Sequence, residues 1–148
     1  MLYEQELKTF VDGTTNFFEV AAQQPASIGS PYLMEGSPSV HEYTGVIKIS
    51  GKREGVVYFT APKAMLTVLL MKMQENDFSH ETMRDLVGEV ANTISGNARR
   101  DFGRDFVISV PNVLSGEQPE VPLKPGMRSF VIPINWRSHS AKLVVALS

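Results

Sequence analysis

A chain of 148 residues, 43% hydrophobic and 20% charged, has the length of one ordinary domain and can bury roughly 70% of the surface its unfolded form exposes. It has no cysteine, which excludes disulfides, thiolate metal sites and cysteine nucleophiles together and accords with a reducing cytosol. The net charge of −2 comes from 14 basic and 16 acidic residues, with basic groups no larger than Lys52-Arg53 or Arg99-Arg100, so a partner recognised by bulk charge, such as nucleic acid, is not indicated.

The first residues, Met1 to Leu7, lack a basic start followed by an apolar run, and no apolar stretch approaches the ~20 residues that cross a bilayer. A soluble, cytoplasmic, single domain over residues 1–148 is expected. From Leu2 to about Gln23, the positions Leu7, Phe10, Val11, Phe17, Phe18 and Ala21 recur at helical spacing, with Gly13, Thr14 and Thr15 as a weak middle. Pro25 to Ser39 is rich in Pro, Ser and Gly and reads as loop. Tyr43–Ser50 and Gly55–Thr60, joined by a short turn at Gly51-Lys52, read as an antiparallel hairpin. Pro62 suits the first turn of a helix running to about Gln74, apolar on nearly every side and therefore expected to be buried.

Ser79 is a good N-cap, with Glu81 in the first turn, for a long helix ending near Phe102, where Arg99 and Arg100 complement the dipole and Gly103 can stop it. Phe106–Val110, Phe130–Asn135 and Leu143–Leu147 are β-rich, and a Pro/Gly-rich stretch from Val113 to Met127 separates the first two. Arg137 to Ser140 is a turn, and Trp136 is expected to pack on the sheet. The expected fold is α+β: two layers, an antiparallel-rich sheet covered by long helices, in the order αββααβββ.

The long helix carries the informative segment, Asp85 to Ala98. At about 100° per residue, Glu89 and Asn92 lie ~60° apart on one face, with Asp85, Gly96 and Arg99 on the same side. Leu86, Val87, Val90, Ile94 and Ala98 occupy the other side and should pack inward. Gly88 and Gly96 flank the pair, although glycine inside a helix costs roughly 1 kcal/mol against alanine. Either another element of the same domain approaches the backbone there, or a partner does. The pair itself reads in two ways as well. It can be plain solvated helix surface. As chemistry, a carboxamide offers a donor and an acceptor side by side and can hold a water in line for attack, while the carboxylate meets a cationic group.

Gly88-Glu89-Val90-Ala91-Asn92, followed by Ile94-Ser95-Gly96-Asn97-Ala98, resembles the signature helix of the CheX branch of the CheC/CheX chemotaxis-phosphatase family. Tyr43–Ile47, Gly55–Phe59 and the greasy helix after them resemble that family's hairpin and next element, so the likeness spans about residues 42 to 147. The resemblance implies dephosphorylation of a CheY-like response-regulator receiver domain. Asn92 would orient the attacking water and Glu89 would pair with the regulator's active-site lysine. Asp85, Gly88, Gly96 and Arg99 would border the docked partner. It implies no cofactor in this chain, with magnesium held by the receiver domain, and a homodimer formed through the sheet. The same fold could instead dock a receiver domain or a motor-switch protein without hydrolysis.

Other candidates are weaker. His41, His80 and His139 stand apart, with no metal-ligand spacing, and read as surface histidines. Met65, Met71 and Met73 read as core filler. No nucleotide-binding or serine-hydrolase fingerprint is present.

Overall fold

The computed structural model describes residues 4–36, 40–116, 121–123 and 127–148. Among these are three helices, α1 (Glu4–Val20), α2 (Lys63–Lys72) and α3 (His80–Phe102). The strands are β1 (Ser27–Ile28), β2 (Tyr32–Leu33), β3 (Tyr43–Gly51), β4 (Gly55–Ala61), β5 (Phe106–Ile108), β6 (Asn112–Ser115), β7 (Phe130–Trp136) and β8 (His139–Leu147). They form one antiparallel sheet in the order β1-β7-β8-β4-β3-β5, with β2 also on β7 and β6 also on β3. All eight expected elements are present in the expected sequence. The α+β, helix-covered architecture holds.

Three short strands correct that element order. β1 and β2 lie in the stretch read as loop, and β6 lies in the Pro/Gly-rich stretch. Their pairing partners sit far away in sequence: Ser27 faces Asn135, Tyr32 faces Val131, and Val113 faces Gly45. Segments this short have no hydrophobic period of their own. They become strands because the edges of β7 and β3 offer unpaired backbone groups.

The sheet buries both faces. Ile47, Val57, Phe59, Ile132, Ile134, Leu143 and Val145 join α1, α2 and α3 in the main core. The alternate residues Val46, Val56, Tyr58, Val131 and Val144 form a smaller cluster, packed by Met34, Val40, Leu114, Val121 and Leu123. Burial in that second cluster pushes the Tyr58 hydroxyl up to about 12.

α3 is fixed at both ends and on two faces. Ser79 caps it, its hydroxyl accepting from the Thr82 N–H at 3.2 Å. At the far end Gly103, with φ of 93°, donates its N–H to the Arg99 carbonyl. Its inner face lies directly on β3 at Gly45, where an added Cβ would stand 2.3 Å from the Val87 carbonyl oxygen. α1 crosses it at Gly13, where a Cβ would meet the Ile94 carbonyl at 3.3 Å. The weak middle of α1 is therefore the helix crossing. Thr14 and Thr15 beside it donate their hydroxyls to the Phe10 and Val11 carbonyls.

α2 begins one residue after Pro62, which takes the N-cap position. Met65, Leu66, Leu69 and Leu70 are buried as expected, but Met71 is 61% exposed. A helix lying on the edge of a core keeps one side in solvent even when that side is apolar. Trp136 is fully buried against Phe18, and its ring N–H donates to the Gln24 carbonyl at 3.0 Å.

Candidate functional site

Leu86, Val87, Val90, Ala91, Ile94 and Ala98 anchor the inner face of α3 in the core. The opposite face presents Asp85, Glu89, Asn92 and Arg99, all exposed, with Gly96 half-buried among them. Among the described residues, neither the Glu89 nor the Asn92 side chain has a hydrogen-bond or ion-pair partner. The two groups share one exposed face, as the helical spacing predicts. The pair sits on a helix whose rotation is locked by the buried residues between its members. Holding a water demands that rigidity.

The two glycines behave differently. Gly88 is buried: an added Cβ would lie 3.0 Å from Val113 Cγ2 and 3.2 Å from Pro111 Cβ. The chain's own β5–β6 segment covers it, so this glycine has a reason within the domain. Around Gly96, among the described residues, no atom beyond the helix's own adjacent backbone lies within 4 Å of such a Cβ. No other element among the described residues explains that glycine. Replacing it with alanine should stabilise the fold by about 1 kcal/mol through helix propensity, raising Tm by roughly 2–4 °C. If a partner's backbone comes close there, the same substitution weakens partner binding. Unchanged binding by the stabilised variant would place Gly96 outside the docked surface.

The wall that covers Gly88 was not legible in the sequence. Arg84, on the flank of α3, donates to the Val113 carbonyl at 3.0 Å and to Ser115 Oγ at 2.9 Å, tying β6 along the helix. Nothing in a Pro/Gly-rich stretch marks such a wall until β6 pairs with β3.

The remaining candidates stay dispersed. Concave pockets lie between α1 and Ser30-Pro31, beside Thr9 and Asp101, and around Lys52, Arg53 and Phe106; neither Glu89 nor Asn92 lines any of them. Both side chains are exposed on the surface of α3. No group of three His, Asp or Glu side chains among the described residues is placed to hold a metal ion. Among the described residues, no helix is long and apolar enough to cross a membrane.

His80 Nδ1 lies 2.7 Å from the Tyr43 hydroxyl. His41 departs from the surface reading: it is half-buried, and its Nε2 is enclosed without a hydrogen-bond partner among the described residues. Burial, helped by nearby Lys142, lowers its pKa from 6.5. The unfolded chain therefore binds more protons just below pH 6.5, so this residue's contribution to stability is present above that pH and is lost as pH falls. H41N should flatten the acid side of the stability–pH curve in denaturant titrations; an unchanged slope would remove His41 as its source.

Comparison with known proteins places the chain in a family. A family model described as chemotaxis phosphatase CheX matches residues 43–135. This chain belongs to the CheX family. No curated protein sequence matches it. A CheC-like superfamily protein from Shewanella sp. PV-4 shares its fold with a TM-score of 0.87 at 23% identity, over 99% of each chain. Chemotaxis protein CheX from Desulfovibrio desulfuricans gives 0.83 at 24% identity, over 97% of this chain and 98% of that one. The CheX–CheY–BeF3–Mg2+ complex from Borrelia burgdorferi gives 0.76 at 19% identity, over 96% and 97%.

Proposed function

We propose that this chain hydrolyses the phosphoaspartate of a response-regulator receiver domain. α3 enters the partner's phosphorylation site. Asn92 accepts a hydrogen bond from a water and donates one to hold it in line with the phosphorus. The water oxygen forms the new P–O bond as the acyl-phosphate P–O bond breaks, releasing inorganic phosphate and a free aspartate. Glu89 pairs with the receiver's lysine and fixes the helix in register, with Asp85, Gly96 and Arg99 around the contact. Magnesium belongs to the receiver, and this chain contributes position rather than a cofactor. Two copies joined through the sheet would leave both α3 faces outward.

One observation carries this reading: in a CheX-family chain, a carboxylate and a carboxamide one turn apart are both exposed and unpartnered among the described residues. The test follows phosphate loss from each phosphorylated receiver domain of the same organism, with and without this protein. Faster decay of at least one receiver is expected. Binding without acceleration would leave a docking module for a receiver domain or a motor-switch protein, and the catalytic reading would fall.

A further inference from the structure

Among the large apolar side chains of the described residues, Val110 is the most exposed, at 85%. Its position is more telling than its exposure. It sits in the excursion between β5 and β6, both of which pair with β3. It directly precedes Pro111, the residue that lies on Gly88, and Gly88 directly precedes Glu89. The excursion is held on both sides. The Ser109 N–H donates to the Lys48 carbonyl at 2.9 Å. The Ser109 hydroxyl accepts from the Lys48 N–H and donates to the Val110 carbonyl, each at 2.9 Å. Beyond it, Val113 and Ser115 are tied to Arg84.

An apolar side chain left in water on a backbone this well tied has no role in the domain's own packing. Its chain neighbour Pro111 packs on α3 at Gly88, the residue before Glu89. We infer that Val110 is a docking residue for the receiver domain, an apolar anchor at the flank of the Glu89–Asn92 face that orients the partner and selects among receivers. This rests on the function proposed above. Burying one valine against a partner is worth enough to shift affinity about tenfold, and the pre-tied backbone means little ordering is lost on contact. The contact is present before and during phosphoryl transfer alike, so it acts on KM and leaves kcat alone.

The experiment uses the receiver domain that responds best in the decay assay, together with its beryllofluoride-loaded form for direct binding. Wild type, V110S and V110D are compared, with L33S as a control at the opposite, β7 edge of the sheet. V110S should raise KM and Kd severalfold, and V110D more, with kcat within twofold of wild type and Tm unchanged; L33S should leave both constants unchanged. Wild-type constants in V110S and V110D overturn the inference while leaving the phosphatase reading intact, as does an equal loss in L33S. Loss of kcat at constant KM overturns it too. If wild type binds beryllofluoride-loaded receiver but hydrolyses nothing, the catalytic reading fails and the Kd comparison still decides Val110. If wild type binds no receiver, both fail.

Discussion

Asn92→Ala is expected to reduce dephosphorylation of the receiver domain by on the order of 100-fold in kcat, because the proposed mechanism asks this chain to hold one water in line and little else. Asn92 is exposed and sits mid-helix. Alanine there improves helix propensity by about half a kcal/mol, so thermal stability should stay level or rise while activity disappears. Opposite signs for the two effects separate catalysis from folding in one variant. The companion substitution Glu89→Ala removes the charge pair proposed with the receiver's lysine. It should lower kcat/KM by about 10- to 100-fold, mainly through binding. Rapid dephosphorylation by Asn92→Ala, at near wild-type kcat, would end the proposal that this carboxamide positions the water.

The largest effect on stability is expected at Gly45. A Cβ there would stand 2.3 Å from the Val87 carbonyl oxygen, 2.7 Å from the Val87 carbonyl carbon and 3.0 Å from Gly88 Cα. All three atoms are backbone, so no side chain can rotate away. α3 itself must move off β3. Overpacking of this kind costs about 3 kcal/mol, which lowers Tm by roughly 6–12 °C in a domain of this size. Because Val87 and Gly88 lead directly into Glu89, Gly45→Ala should also displace the polar face and impair activity. It is the mirror of Gly96→Ala, whose Cβ meets open space and should stabilise the fold. Calorimetry on the two variants gives the comparison, and a Tm for Gly45→Ala equal to wild type would show that β3 and α3 are not as closely apposed as described.

Much of α3 could be read directly from its residues. Ser79 and Gly103 set its ends, Leu86, Val90, Ile94 and Ala98 set the buried stripe, and the three-residue step from Glu89 to Asn92 set their shared face. These are local matters: helix period, capping chemistry and the placement of apolar residues every three or four positions act within one segment. The β3–β4 hairpin was legible for the same reason, its strands being joined by a short turn.

The identity of what lies beside the helix was not local. Gly88 and Gly96 are the same residue type on the same helix, yet one is covered by Pro111 and Val113 and the other by no other element among the described residues. Val110 belonged to a run that reads as strand and stands instead in an exposed excursion beyond the end of β5. The β6 wall, the strands β1 and β2, and the exposure of Met71 on an otherwise apolar helix have the same origin. By itself, the chain determined the helices, the principal strands and which side chains share a face, because those follow from contacts within a few residues. Only the tertiary structure decided which glycine is free and which apolar side chain flanks the site. Both depend on which distant backbone edge a short segment pairs with, and periodicity carries no record of that choice.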